Sequence, residues 1–245
     1  NTALGANSLG ANTTADHNTA VGRDCMLGNT TGTKNVAVGS NTLSSNSTGN
    51  YNTAVGYDAL GDNTDDGNTG VGYGSLSVNT VGANNVGIGR SALAANTTAS
   101  NNVAVGSSAL TANTTGTENV AVGAISLDAQ TTASYNTAVG YNTLSANSTG
   151  SQNVAVGRYA AAANTTGANN TSIGSGNFST NTTGSDNTAV GKGALTANTT
   201  ASNNTAVGKD ALLANTTGTN NIAIGKSALD ANTTTSRNIA IGTDT

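Results

Sequence analysis

A glycine recurs at a nearly fixed interval from one end of the chain to the other. Fourteen intervals separate these fifteen glycines; thirteen are 17 residues long and one is 16. Numbered from the asparagine four residues before each glycine, the repeat reads Asn-[Thr/Val/Ile]-Ala-Val-Gly-x-x-Ala-Leu-x-Ala-Asn-Thr-Thr-Gly-x-x. A fixed period is typical of repeat architectures, in which each unit packs only against its neighbours. We therefore expect a single repeat domain over residues 1–245, with no capping units.

The first five positions of each repeat predict a short β-strand. Position 2 is always β-branched, position 4 is always aliphatic and position 5 is always glycine. Positions 2 and 4 share one side of a strand, and we expect that side to face the interior. The residues expected to be buried include Val38, Val55, Val105, Val122 and Ile224. Leucine at position 9 indicates a second short strand, and Asn-Thr-Thr-Gly at positions 12–15 indicates a turn.

Seventeen residues are too few for a strand–helix crossover, and the apolar positions do not follow the helical period of about 3.6 residues. We predict an all-β fold, namely a parallel β-solenoid (β-roll) of about fifteen 17-residue coils stacked about 4.8 Å apart. Stacking places the asparagines of positions 1 and 12 in register, where their amides are expected to form ladders. The 16-residue repeat at 52–67 is expected to differ only in its turn.

Position 3 holds only small residues: twelve Ala, Gly70, Gly87 and Ser172. If positions 2 and 4 face inward, position 3 faces outward, where a small column would let another chain pack closely. The alternative is that position 3 lies inside a very narrow coil. The first interpretation predicts a homotrimer that replacing Ala104 and Ala121 by Arg would disrupt. Because the first and last repeats both begin with a full strand, we expect either that the sequence is cut from a longer fibre or that chains stack head-to-tail into a filament.

Two groups of proteins have repeats that this sequence resembles. Residues 52–60 (Asn-Thr-Ala-Val-Gly-Tyr-Asp-Ala-Leu) and 204–212 resemble the repeat of phage tail-fibre and bacterial surface proteins. Residues 35–39 and 221–225 resemble the Asn-x-Val-Ala-Ile-Gly repeat of the YadA-like heads of trimeric autotransporter adhesins. The resemblance covers the whole chain and implies a trimeric β-roll at a cell or virion surface. The adhesin repeat is typically shorter than 17 residues, and no chaperone, stalk or anchor segment is visible.

Composition favours a protein without catalytic activity. Charged residues make up 8% of the chain, and His17 and Cys25 are its only histidine and cysteine. We expect no catalytic site, no metal and no cofactor; Asp62, Asp65 and Asp66 indicate a local irregularity, with a metal site as the alternative. A net charge of −4 does not favour nucleic acid, and no apolar run is long enough to enter a membrane. The predicted function is a structural and adhesive fibre segment in an extracellular location.

Position 6 collects basic and aromatic residues, which we call the position-6 stripe: Arg23, Tyr57, Tyr73, Arg90, Tyr141, Arg158, Lys192, Lys209 and Lys226. The stripe is either a solvated edge that prevents side-on aggregation or a surface that binds host or surface glycans. Threonine at position 13 suggests a further alternative, an ice-binding solenoid. If position 12 faces outward, eleven of its asparagines are glycosylation acceptors: Asn12, Asn29, Asn46, Asn96, Asn113, Asn147, Asn164, Asn181, Asn198, Asn215 and Asn232.

Overall fold

The computed structural model describes residues 1–245, which form an all-β parallel solenoid with one three-residue strand in each coil. The coils make two compact units, Asn1–Asn119 and Val120–Thr245. The strands of the first unit are β1 Thr2–Leu4, β2 Thr19–Val21, β3 Val36–Val38, β4 Thr53–Val55, β5 Thr69–Val71, β6 Val86–Ile88 and β7 Val103–Val105. Those of the second are β8 Val120–Val122, β9 Thr137–Val139, β10 Val154–Val156, β11 Thr171–Ile173, β12 Thr188–Val190, β13 Thr205–Val207, β14 Ile222–Ile224 and β15 Ile239–Ile241. No helix of the structure could cross a membrane.

Within each unit, neighbouring strands pair in parallel in the order of the chain, and every residue pairs with its equivalent in the next repeat. Val36 thus lies opposite Thr53, and Val190 lies opposite Val207. The backbone ladder continues beyond the strands, since the peptide N–H at position 7 donates to the carbonyl at position 6 of the preceding coil. The predicted β-solenoid with 17-residue coils is confirmed.

The side chains of the strands face the opposite way from our expectation. Position 3 lies inside the coil, where Ala37 and Ala104 have no exposed surface. The residues that we expected to be buried are instead partly or substantially exposed: Val38, Val55, Val105, Val122 and Ile224. The prediction that positions 2 and 4 point inward is therefore wrong, and the alternative of a narrow coil with position 3 inside it is confirmed.

The narrowness of the coil explains why position 3 is small. A Cβ atom added to Gly70 would lie 3.0 Å from Cγ of Leu60, because the leucine of position 9 already fills that part of the interior. A methyl group fits beside the leucine in most coils, whereas a branched side chain would not. The small residues of position 3 therefore serve packing within the coil and do not form an interface between chains.

Positions 6–11 form turns and not the second strand that we expected. Positions 7 and 9 have left-handed backbone conformations; φ is 52° at Leu93 and 50° at Leu110. Alternating such residues with ordinary ones prevents an extended strand, although the leucine side chains remain fully buried. The sequence signal that we missed is position 7, where ten of fifteen residues are Asn, Asp or Gly. These residues tolerate the left-handed region best.

Glycine at position 5 is required both by the backbone conformation and by space. Its φ lies between 124° and 144° throughout the chain, a region that side chains rarely tolerate. A Cβ atom added to Gly140 would also lie 2.7 Å from the carbonyl carbon of Gly157 in the next coil. A larger residue here would push two coils apart, and glycine ends each strand as predicted.

The two asparagine columns form buried ladders, as predicted. At position 1, the side-chain oxygen of Asn153 accepts from the peptide N–H of Asn170 in the next coil at 3.0 Å. At position 12, the side-chain amide of Asn164 donates to Oδ1 of Asn147 in the preceding coil at 2.9 Å. Both Asn153 and Asn164 also donate to the carbonyl of Gly167, each at 2.9 Å, and this shared acceptor closes the coil.

The 16-residue repeat departs from the others in its turn, as expected. The amide of Asn63 donates to the carbonyl of Asp65, two residues later, whereas the other coils span three residues at this point. The missing residue is therefore the one at position 14. Strands β4 and β5 still pair in register. The shortened turn leaves Oδ1 of Asn46 buried without a hydrogen-bond partner.

Replacing Ala104 by Arg tests the orientation of position 3. We expect the variant to lose several kcal/mol of stability or to fail to fold, because an unpaired charge would be buried in the coil. The matched control is Ser107→Arg in the same coil, at a position that other coils fill with arginine. Thermal unfolding followed by circular dichroism compares the two, and equal stability of both variants would contradict the inward placement of position 3.

Replacing Asn164 by Ala tests the ladder at position 12. The change leaves Oδ1 of Asn147 and one amide proton of Asn181 without partners in the interior. We expect a loss of about 2–6 kcal/mol in the free energy of unfolding, since each of the two orphaned buried groups costs about 1–3 kcal/mol. Thr166→Ala, at an exposed position of the same turn, should change the urea midpoint little. A midpoint for Asn164→Ala equal to that of this control would show that the ladder contributes nothing.

Candidate functional site

Positions 2 and 4 form a charge-free surface in each unit, which we call the strand face. The fifteen strands carry two outward side chains each; of these thirty, eight are Thr and the other twenty-two are Val, Ile or Leu. The aliphatic side chains are substantially exposed, with 39% of Val36 and 40% of Ile173 accessible to solvent. Contiguous exposed apolar surface of this kind marks an interaction site more often than chance exposure does.

The threonines of the strand face are also without internal partners. The hydroxyl groups of Thr53 and Thr205, at position 2, make no hydrogen bond within the protein. Each hydroxyl is therefore available to whatever covers the face, whether water or another chain. The strand face thus offers methyl groups on every coil, with hydroxyl groups on eight of the fifteen coils.

The position-6 stripe runs along one border of the strand face, because position 6 follows the glycine that ends each strand. All nine of its predicted residues are exposed. In the first unit, the rings of Tyr57 and Tyr73 stack with centroids 5.5 Å apart and planes 12° apart. In the second unit, Arg158 separates Tyr141 from three lysines on consecutive coils. The structure therefore brings the predicted stripe together within each unit.

Carboxylates at position 7, which we did not predict as functional residues, accompany part of the stripe. Asp24 pairs with Arg23 at 3.2 Å, and Asp210 pairs with Lys209 at 3.3 Å. Both pairs are between residues adjacent in sequence and lie at the surface, where an ion pair contributes at most about 1 kcal/mol. The adjacency was visible in the sequence as Arg-Asp and Lys-Asp dipeptides.

Threonine at position 13 serves the turn of the coil. The hydroxyl of Thr30 donates to the carbonyl of Ser47 in the next coil at 2.9 Å, and Thr165 donates in the same way to Thr182 at 2.8 Å. These hydroxyl protons are therefore engaged within the protein. The column that suggested ice binding is explained by the stacking of turns.

Asparagine at position 12 does not face outward, which was the condition for its glycosylation. Nine of the eleven acceptor asparagines have no exposed surface: Asn29, Asn46, Asn96, Asn113, Asn147, Asn164, Asn181, Asn198 and Asn215. The remaining two, Asn12 and Asn232, are half-buried in the first and last coils. A glycan on this column would have to replace the amide ladder, so the folded coil does not present these residues for modification.

The acidic residues beside the 16-residue repeat take part in its turn. Oδ1 of Asp65 accepts from the peptide N–H of Asp66, and Oδ1 of Asp66 accepts from the peptide N–H of Asn50 at 2.7 Å. Burial raises the pKa of the nearby Asp58, and the charge of Asp62 raises it further. The structure gathers no group of three His, Cys, Asp or Glu side chains that could hold a metal ion.

His17 and Cys25 lie apart from one another. His17 is exposed beside Asp16, with 3.0 Å between Nδ1 and Oδ1, and its hydrogen bond lowers the pKa of that carboxyl group. Cys25 is fully buried at position 8 with its sulfur 3.3 Å from the carbonyl oxygen of Ala37. Burial raises the pKa of the Cys25 thiol to about 11, so the reactive thiolate is scarce at neutral pH.

The sequence matches no protein-family model and no curated protein.

The reactivity of Cys25 tests the burial of the coil interior. We expect no labelling of the native protein by a thiol-specific reagent at pH 8, because the sulfur is inaccessible and protonated, and complete labelling in urea. A Thr166→Cys variant provides an exposed thiol in the same chain and should react at once with one equivalent. Rapid labelling of native Cys25 would show that its coil opens readily.

Proposed function

We propose that this chain is a structural and adhesive segment of an extracellular fibre at a cell or virion surface, and that copies of the chain associate through their strand faces. The observation that carries the proposal is the charge-free strand face itself. Large exposed apolar surfaces on otherwise soluble proteins mark sites of association. The sequence resemblance to adhesin heads and tail fibres supports the same conclusion.

The surroundings of the strand face fit an interface between chains. Interfaces commonly have an apolar centre and a polar rim. Here the position-6 stripe forms one border, and the exposed residues of position 17, such as Lys34, Glu118 and Asp186, form the other. The first unit contributes fourteen outward side chains and the second sixteen, so each supplies a large share of the about 20–30 residues that a stable interface uses on each partner.

A homotrimer is the form of association that we propose. In a three-fold cyclic arrangement, each copy covers its strand face with two neighbours while all copies point in the same direction along the fibre. The interface no longer depends on position 3, which lies inside the coil. Threonine hydroxyls at position 2 would bond across the axis, and the valines of position 4 would pack beside them.

An ice-binding solenoid is the second candidate, and the same face favours it. Eight of the fifteen residues at position 2 are threonine, and their hydroxyls have no partner within the protein. The longest run on consecutive coils is Thr171, Thr188 and Thr205, about 4.8 Å apart. Such an array can order water in place of a second chain. The two candidates differ in a simple respect, because association covers the face that ice binding needs exposed.

Light scattering coupled to size-exclusion chromatography tests the proposed assembly. We expect the intact chain to have the mass of three chains, and the double variant Val156→Lys/Val190→Lys to shift to one, since buried unpaired ammonium groups each cost several kcal/mol. Thr166→Lys/Thr200→Lys adds the same charge at position 14 and should leave the mass unchanged. A monomeric intact chain would refute the assembly, and thermal hysteresis from that monomer would favour ice binding instead.

A further inference from the structure

Three lysines lie one above another on consecutive coils of the second unit. Lys192, Lys209 and Lys226 each follow the position-5 glycine of their coil and are exposed. Their backbone is held in register, since Asp210 N donates to Lys192 O and Ser227 N donates to Lys209 O, both at 2.9 Å. The three lysines therefore form a row at equivalent positions of consecutive coils, with a backbone spacing of about 4.8 Å.

This row has more positive charge than its surroundings neutralise. Lys209 pairs with Asp210 at 3.3 Å, and Lys226 pairs with Asp244 at 3.8 Å. Lys192 makes no ion pair, and the residue after it is Gly193, where the next coil has an aspartate. Like charges opposite one another on neighbouring strands are destabilising, and exposed ion pairs offset this only slightly. An anionic ligand along the row would remove the repulsion.

Exposed aromatic rings continue the same surface on the other side of Ser175. The rings of Tyr141 and Tyr159 meet edge to face with centroids 5.6 Å apart, and the guanidinium of Arg158 lies 5.1 Å from the centroid of Tyr159. Both tyrosines are more than a third exposed. Aromatic faces bind the C–H surfaces of sugar rings, so this part of the surface suits a sugar better than it suits a simple anion.

We infer that this row and its neighbouring tyrosines bind a linear acidic polysaccharide, with carboxylate, sulfate or phosphate groups on the lysines and a sugar ring against the tyrosines. An extended polysaccharide advances per sugar by a distance similar to the coil spacing of about 4.8 Å, so a flexible chain laid along the row can bring several acidic groups to the lysines. The inference rests on the proposed function in one respect, namely that a fibre outside the cell encounters such polymers. It does not depend on how many chains associate.

Nucleic acid fits the row less well. Single-stranded DNA is bound by basic grooves with aromatic side chains on which successive bases stack, whereas Tyr141 and Tyr159 meet edge to face and offer no such stack. The net charge of −4 repels a long polyanion of either kind wherever it leaves the row, so binding is confined to the row itself.

Binding of the intact chain to immobilised polygalacturonate tests the inference, with dextran as the neutral control and polythymidylate as the nucleic acid. We expect salt-sensitive binding to polygalacturonate only. The variant Lys192→Gln/Lys209→Gln/Lys226→Gln should bind about tenfold more weakly, in proportion to the three ion pairs lost. The matched variant Arg23→Gln/Lys34→Gln/Arg90→Gln loses the same charge from the first unit and should bind within about twofold of the intact chain.

The aromatic part of the site has its own test. Tyr141→Ser should weaken binding to polygalacturonate without reducing its salt dependence, because the ring makes no charge contact. Equal losses in the two charge variants, no binding by the intact chain at low salt, or stronger binding to polythymidylate would each overturn the inference. Light scattering on the same samples separates this outcome from a failure of the proposed assembly, since none of these substitutions lies on the strand face.

Discussion

Two buried amides donate to one carbonyl oxygen, and the closure of a coil depends on this contact. Asn153 and Asn164 both reach Gly167, and each also bonds to a neighbouring coil. Apart from these amides, most coils bury little more than alanine and one leucine, which Met26, Ala161 and Phe178 replace in three coils, so hydrophobic burial alone gives a thin core. Buried amides that are fully satisfied specify a single arrangement, whereas unsatisfied ones would be costly. Asparagine is nearly invariant at positions 1 and 12 because each side chain both closes a coil and bonds to a neighbouring coil.

The thin interior determines what the outside of the molecule looks like. Since only a methyl group fits at position 3, the bulky β-branched residues of each strand are placed on the outer side. The valines of each strand, which a sheet would normally bury, are therefore exposed. The molecule has an apolar surface in addition to its own core. Stacking aligns every column of equivalent residues, whether apolar or charged. The proposed association of chains depends on the aligned apolar columns, and the proposed sugar site depends on the aligned lysines.

The sequence was sufficient to predict the coil length, the strand at positions 2–4, the amide ladders and the position-6 stripe, because each is a matter of register. It was not sufficient to predict which side of the strand faces inward. A period of two shows that Val36 and Val38 share a side, but the interior volume that decides between the two sides is set by the leucine of position 9 and by backbone closure. The left-handed backbone at position 9 could not be predicted from its own residue, because leucine, as at Leu93, does not favour a positive φ. The Asn, Asp and Gly residues of position 7 do favour it, and they were the available signal.

Bonding between equivalent residues has a consequence for how such a chain can change in length. Asn164 bonds to Asn147 in the same way that Asn181 bonds to Asn164, so removing or duplicating one whole repeat would rejoin identical partners. The shortened turn at Asp65 shows the contrast, since loss of a single residue leaves Asn46 with an orphaned oxygen. We therefore expect that gene recombination between repeats preserves the fold when it adds or removes whole repeats, and that it leaves buried groups unpaired when it adds or removes part of a repeat. The length of the solenoid can then evolve in steps of one coil, while the hydrogen bonds of every remaining coil are kept.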